Sequence, residues 1–512
     1  MQILNLTQDN HPMLCQFLRQ STTQAKEIAS LFRHFNTADI EAYIVGGFVR
    51  DGLLGKHSKD VDIEVFGTNS VDLLKVLEPL GTVNIVGAEF GVYKIRLNGI
   101  EFDITLARTE NRVGRKHVDF EVKVDPTLTP AEACIRRDFT INALYLDPLK
   151  LQVIDYVGGI KDLLDFSTLR HINDEKFVED PLRVLRGFQF AARFNLTVHP
   201  DTAELCRSLR HEYSSLSVER INGEWEKWAT GGVENVSAGL KFLEDTKWIE
   251  LYPELEALTL NGCQDVVYHP EGRDDSNCTI SRRDSAWIHT KCVCDAMTSV
   301  LYGNFSRNIN GYEFKKVMMY VALCHDLGKS VSTKAITRDG RLTYNSIGHE
   351  KAGIPLTKSF LKSIGYSPKF IALVTPLVEH HMAHCNYNEN SDRKKAAEKL
   401  SHALQPNHSI ATLELICEAD AGGRPPLSDR LDENWLSVID YAVSHNLHYN
   451  SVKLIVNGNI LTKILSDLSI VCRGAQFGAL LKAITTAQLN QKIHSVEDAE
   501  RWIKQKFNNG KY

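Results

Sequence analysis

No stretch of this 512-residue chain holds enough consecutive apolar residues to cross a bilayer. The opening segment, Met1-Gln-Ile-Leu-Asn-Leu-Thr-Gln, lacks the basic-then-apolar order of a signal peptide, which predicts a protein that stays in the cytoplasm. None of the eleven cysteines forms a C-x-x-C pair, since Cys292 and Cys294 are separated by a single residue. That speaks against a zinc finger or a disulfide frame and for reduced thiols. Positive charge is not in excess either. Lys and Arg number 59 against 64 Asp and Glu, a net charge of −5, so any binding to nucleic acid has to come from local patches. Low-complexity stretches and internal repeats are absent. With 43% hydrophobic and 24% charged residues the composition is that of a globular protein, and the length calls for two to four domains.

The most informative segment is Tyr43-Ile-Val-Gly-Gly-Phe-Val-Arg-Asp-Gly-Leu-Leu, followed by Lys59-Asp-Val-Asp-Ile-Glu. Residues two apart on a strand share a face, so Asp60 and Asp62 stand side by side while Val61 and Ile63 turn into the core. Two carboxylates that close repel unless a cation sits between them, and hard oxygen ligands suit Mg²⁺. Gly46 and Gly47 let backbone N–H groups approach an anion, and Arg50 offers a guanidinium fork for phosphate. In this order the motifs resemble the polymerase-beta-like nucleotidyltransferases, and more narrowly the bacterial class II CCA-adding tRNA nucleotidyltransferases and their poly(A) polymerase relatives.

Short apolar runs at Tyr43–Val45, Val61–Phe66, Val83–Val86, Val92–Leu97, Phe102–Leu106 and Ala143–Tyr145, with a helical pattern at Val71–Leu80, predict a mixed sheet with few helices. Asp103 is either a third carboxylate at the metal or part of an exposed strand face. The polar, basic segment Ala107 to His117 reads as a mobile loop, and resembles one that CCA-adding enzymes use on switching from CTP to ATP. In Arg136-Arg-Asp-Phe-Thr-Ile-Asn, adjacent arginines place one guanidinium towards the sheet and one towards the triphosphate; the resemblance gives the nucleotide contact to Arg137, with Asp138 and Asn142 shaping the pocket. Glu179-Asp-Pro-Leu-Arg-Val-Leu-Arg is ordinary helix-start chemistry, with Asp180 as the cap. It also carries selective chemistry, because an Asp offers only acceptors and an Arg only donors. Together they satisfy the amino group and ring nitrogen of C and A and reject U and G. The resemblance maps this role onto Asp180 and Arg183, sets Arg186 near the phosphates, and expects a further arginine where Gln189 stands. Glu219 and Arg220 read as a brace between helices.

Further on, Trp287-Ile-His289, Cys324-His325-Asp326-Leu-Gly-Lys329, Gly348-His349-Glu, Glu379-His380-His381 and Cys417-Glu-Ala-Asp420 recur on helical segments. Imidazole with carboxylate is a first-choice set for transition metals. The series resembles the HD phosphohydrolases. That resemblance implies one metal on His289, His325, Asp326 and Asp420, with His349 and either His380 or His381 at a second. The metal is Ni²⁺, Mn²⁺, Fe²⁺ or Co²⁺, and Lys329 contacts a substrate phosphate. His269-Pro-Glu-Gly fits the same arrangement. From Lys453 onward, nine Lys and Arg face four Asp and Glu, a locally basic end suited to tRNA phosphates.

The expected class is α+β: a small mixed-sheet head of polymerase-beta-like form followed by helices. The expected divisions are a helical extension at 1–40, a head at 41–165, a nucleotide-selecting neck at 166–255, an HD domain at 256–430 and a helical tail at 431–512. The resemblance implies addition of C, C and A to tRNA from CTP and ATP, without a membrane partner, by a monomer or homodimer. A poly(A) polymerase, an enzyme adding only A or only CC, and a retired RNA-binding protein are the rivals.

Overall fold

The computed structural model describes residues 1–19, 22–56, 58, 60–86, 91–112, 120–232, 234–273, 281–302, 308–427, 431–472 and 474–508. They form two compact units, Met1–Pro253 and Glu254–Tyr512.

The first unit is built on an eight-stranded sheet. In chain order its strands are β1 (Gln2–Asn5), β2 (Glu41–Val45), β3 (Val61–Phe66), β4 (Val83–Val86), β5 (Val92–Leu97), β6 (Ile100–Leu106), then, beyond the separate hairpin β7 (Arg108–Arg112) and β8 (Phe120–Val124), β9 (Leu144–Asp147) and β10 (Gln152–Asp155). The order across the sheet is β1-β10-β9-β2-β3-β6-β5-β4. Only the β3–β6 pair is parallel within it, so the sheet is mixed. Alternation decides its faces: Ile44, Ile63, Phe102 and Ile104 are buried while Asp62 is exposed.

Two departures from the sequence reading stand out. The first forty residues are not purely helical, because β1 pairs antiparallel with β10 and closes one edge, ahead of the helices α1 (Pro12–Arg19) and α2 (Thr23–Thr37). The expected mobile loop begins as β7 and returns as β8; residues 113–119 lie outside the described residues.

After β2 the chain turns at Gly46 into α3 (Gly47–Leu53), and α4 (Ser70–Leu77) is capped by Asn69, whose side chain accepts from the Val71 and Asp72 N–H groups. The remainder of this unit is helical. α5 (Leu182–Phe194) is buried almost all round, packed by α6 (Val218–Gly231) and α7 (Ser237–Asp245). Trp225, Trp228 and Trp248 are fully buried, and Phe188 stacks on Trp228 at 5.9 Å. A strip bearing Arg183, Arg186, Arg193 and Phe194 of α5 stays partly open.

The second unit is helical apart from short hairpins. α8 (Ser285–Val300) packs on α9 (Phe314–Cys324) and on α12 (Ile410–Gly422), and α10 (His349–Ser363) packs on α11 (Pro368–His380). A tight turn, His381–Cys385, follows α11. The last three helices, α13 (Gly458–Asp467), α14 (Ala475–Leu489) and α15 (Val496–Asn508), share a small core around Leu461, Leu480 and Ile503. Among the described residues no helix is long and apolar enough to cross a membrane.

Candidate active site and metal centre

In the sheet, Val45, Asp62 and Asp103 lie on one rung, Val45 antiparallel and Asp103 parallel to β3. The Asp62 carboxylate is reachable by solvent but crowded by protein. Burial first, and Asp103 next, push its pKa upwards; Asp60 adds to this, while Arg137 and Lys94 oppose it. Lys94 holds Asp103 at 2.7 Å and Glu101 at 3.3 Å. The rung carries more negative charge than its cations balance, and its hard oxygens fit a divalent cation. Directly after Val45, Gly46 has φ +69°, and a Cβ there would sit 3.6 Å from Asp62 Oδ2 and 3.9 Å from Arg137 Nη1. The positive φ favours glycine, and the turn packs against the Asp62 carboxylate and the Arg137 guanidinium.

Two positions beyond Asp62, Glu64 points to the same side and is fully buried. Arg136 Nη2 meets its Oε1 at 2.5 Å and Arg137 Nη2 its Oε2 at 2.8 Å, with the Tyr145 hydroxyl donating to it at 3.3 Å. Burial works against the charged carboxyl, but the two guanidiniums win and hold it at about 2. The arginines therefore do not divide between sheet and triphosphate as expected. Both are anchored on Glu64, and Arg137 alone keeps Nη1 beside Gly46, donating to the Asn142 carbonyl at 3.3 Å.

Arg50 is a correction. Instead of a free fork for phosphate, it is 4% exposed and tied to Asp51 at 2.7 Å and Asn142 at 2.5 Å, with its guanidinium 4.3 Å from the Phe194 ring centre. One turn on from Gly46, its guanidinium lies over the Phe190 and Phe194 rings of α5 and ties α3 to that helix. Gln189 is another: 1% exposed, it lies inside the helical packing around α5 and cannot reach a nucleotide, and its Oε1 has no hydrogen-bond partner. Arg186 stays on the open strip, where its Nε bonds to Asp138 Oδ2 at 2.7 Å. Asp138 is held at about 2: burial pushes up, and Arg186 and Asn142 pull down further.

Asp180 accepts from the Leu182 N–H at 3.2 Å, as a helix-start aspartate does, and its other oxygen pairs with Arg220 at 2.7 Å. Arg183 donates to the Arg136 carbonyl at 2.8 Å, which joins α5 to the anchored arginines. Of Glu219 and Arg220, expected as a brace between helices, Arg220 makes the link, to Asp180 at the start of α5.

In the second unit the His and Asp residues converge. His289 Nε2 lies 2.8 Å from Asp420 Oδ1 and 3.9 Å from Asp326 Oδ2, and His325 Nε2 lies 3.3 Å from Asp326 Oδ2. His349 and His381 meet Asp326 Oδ1 at 3.2 and 3.7 Å, and their Nε2 atoms face each other at 3.1 Å. Of the pair His380 and His381, it is His381 that the structure brings to this cluster, buried where the chain leaves α11. His380, named as a ligand, is half-buried and stands outside both clusters. His384 was missed. It faces Asp420 Oδ2 at 3.4 Å, and its three-residue spacing from His381 was the available signal.

The rings are oriented by one repeated device. Nδ1 of His325, His349, His381 and His384 each donates to the carbonyl three residues back, at 2.7, 2.8, 2.7 and 3.0 Å. The proton is thereby fixed on Nδ1, and every Nε2 lone pair points inward. His289 is held likewise, by the Gly423 carbonyl and Glu271 Oε1, both at 3.0 Å. Glu271, in the His269-Pro-Glu-Gly segment, also accepts from the His269 Nδ1 at 3.0 Å and is an outer carboxylate. Two facing lone pairs, and buried His325 and His384 Nε2 atoms without hydrogen-bond partners, call for positive charge here. The residues fit one or two metal ions. Lys329 is not free for phosphate: its ammonium lies 2.7 Å from Asp326 Oδ2 and donates to Gln264 Oε1 at 2.5 Å.

The poly A polymerase head domain family matches residues 42–167. The multifunctional CCA protein of Xanthomonas campestris pv. campestris (strain B100) is 31% identical over 393 residues, 75% of this chain and 86% of that protein. Two solved structures share the fold: the Bacillus stearothermophilus CCA-adding enzyme in complex with CTP, at 18% identity and TM-score 0.56 over 96% of this chain and 99% of that one, and the Thermotoga maritima CCA-adding enzyme complexed with tRNA, at 17% and 0.55 over 99% and 100%. With its mixed-sheet head and the Asp62 rung, the chain belongs to the multifunctional CCA proteins, within the class II CCA-adding enzymes.

Proposed function

We propose that the first unit adds C, C and A to the 3′ end of tRNA from CTP and ATP, releasing pyrophosphate, in the cytoplasm. The observation that carries this reading is the Asp62–Asp103 rung set against the Gly46 turn, with Asp60 beside it. A bound Mg²⁺ would neutralise triphosphate charge and favour the ionised 3′-hydroxyl. Asp60 and Asp62 would hold that ion, and Asp103, kept by Lys94, adds to the field. Backbone N–H groups at Gly46 and Gly47, with Arg137 Nη1 and the outer nitrogens of Arg186, supply donors for phosphate oxygens. Arg220 presents Asp180 in one orientation and the Arg136 carbonyl presents Arg183, which suits an acceptor–donor edge that accepts C and A. The test is incubation of tRNAs ending in the discriminator base, in C and in CC with single NTPs and mixtures, followed by sequencing of the 3′ ends. Ordered C, C and A, then a stop, is expected. A long A tail, A alone or CC alone would transfer the chain to a rival, and no addition at all would leave the second unit's HD-type site as its principal chemistry.

For the second unit we infer a metal-dependent phosphohydrolase of the HD type, acting on 2′-phosphates and 2′,3′-cyclic phosphates. The convergence of inward Nε2 atoms on Asp326 and Asp420 supports it. His289, His325, Asp326 and Asp420 would hold one transition metal and Asp326, His349 and His381 a second. Such ions supply Lewis-acid polarisation of the phosphoester and a stronger nucleophile. Release of phosphate from 2′-AMP and opening of 2′,3′-cyclic AMP, both lost in Asp326→Ala while terminal addition persists, is the expected result.

A further inference from the structure

Beside the His and Asp cluster opens a cavity of about 480 Å³, room for a nucleotide-sized ligand. Its walls include Tyr268, Tyr344, Ile347 and Met382, and its floor holds Asp326 and Asp420. Two permanently charged cations line it, Lys329 and Arg424. The ammonium of Lys329 is committed to Asp326 and Gln264. Arg424 is different: among the described residues its guanidinium makes no hydrogen bond or ion pair, and its Nε is buried without a partner. A guanidinium pulled partly from water without an acceptor is costly, and the cost is relieved only if an anion arrives. Its place is fixed too. It follows Gly423, whose carbonyl accepts from His289 Nδ1, and stands one helical turn beyond Asp420. The cation is therefore tethered at the rim of the metal cluster.

We propose that Arg424 is the phosphate-binding residue of this second site, gripping two non-bridging oxygens of a nucleotide phosphoester with its planar fork. The cavity walls take the nucleoside, and Lys329 serves instead to position Asp326. This rests on the phosphohydrolase reading for its chemistry but not for its binding. A fork–fork contact recognises any phosphate with two free oxygens, so it accounts for mono- and cyclic diesters sharing one site.

The test uses the full chain loaded with Mn²⁺, with orthophosphate as the binding probe and 2′-AMP as substrate, in wild type, Arg424→Ala, Arg424→Gln and Arg424→Lys. Metal content and melting temperature are measured on each, so that a variant that fails to fold or load is set aside in favour of the others. By calorimetric titration, Arg424→Ala and Arg424→Gln are expected to weaken phosphate binding about 10- to 100-fold, with Arg424→Lys between them and wild type. KM for 2′-AMP should rise more than kcat falls, and terminal addition to tRNA should be unchanged. Equal phosphate affinity in loaded wild type and Arg424→Ala overturns the proposal even if 2′-AMP is hydrolysed, and so does a wild type that binds no phosphate. Arg424-dependent binding without hydrolysis would uphold it and overturn the phosphohydrolase reading instead.

Discussion

Replacing Glu64 by Gln separates stability from catalysis on a single strand. The Glu64 carboxyl has no exposed surface and sits between two guanidiniums at 2.5 and 2.8 Å. Holding it at about 2 rather than its ordinary 4.5 corresponds to roughly 3 kcal/mol of preference for the charged form. Removing one member of such a buried set leaves opposite charge uncompensated, at a cost of about 3–5 kcal/mol. For a unit of this size that lowers its melting temperature by roughly 6–20 °C. Because tryptophans occur in both units, the readout is differential scanning calorimetry with hydrogen exchange followed on the peptide bearing β3. The pH dependence has a definite sign. The folded carboxyl titrates lower than the unfolded one, so its contribution is complete above about 4.5 and fades as pH falls towards 2. The control is Asp62→Asn, two residues away on the same face. It is expected to hold or slightly raise the melting temperature, since it relieves Asp62's crowding, while abolishing terminal addition. A Glu64→Gln protein melting within about 2 °C of wild type would refute the claim that this ion set holds the strand.

Asp60→Ala should cut nucleotide addition at least about 1000-fold with hydrolysis at the second site intact, measured on the same preparation. His381→Ala should lower bound metal by elemental analysis, whereas His380→Ala should leave it unchanged. Arg50→Met should destabilise the first unit by about 2 kcal/mol in calorimetry without altering KM for CTP, because its guanidinium is committed to Asp51, Asn142 and Phe194. Arg220→Ala frees Asp180 to reorient, and the expected outcome is misincorporation of U or G in 3′-end sequencing, with Mg²⁺-dependent turnover retained.

Local pattern carried much of this architecture. Alternation over Val61–Phe66 placed Asp62 outward and Ile63 inward, and the strands at Val83 and Val92 began and ended where the apolar runs do. Pairings across long separations were not legible. Nothing in Val-Asp-Ile-Glu tells Glu64 from Asp62, because both lie on one face, and only arginines 72 and 73 residues later decide which is buried. Arg50 and Gln189 failed for a related reason: a motif position fixes the residue but not whether a neighbouring helix covers it. β1 is too short, and its burial too slight, for a four-residue run to announce a partner at residue 155. Asp326 and Lys329, by contrast, are three apart, so their pairing could have been read from spacing alone.

The Glu64 ion set also has a consequence for the order of synthesis. A nascent chain makes β3 long before Arg136 and Arg137 leave the ribosome, and until then the carboxylate must stay hydrated. The strand bearing Asp62 therefore cannot settle into a dry core early. It closes only when its counter-charges arrive together with β9, whose Tyr145 hydroxyl reaches the same carboxylate. A truncation ending before residue 136 is thus expected to emerge as an open sheet, vulnerable to proteases at β3, however good its local strand pattern.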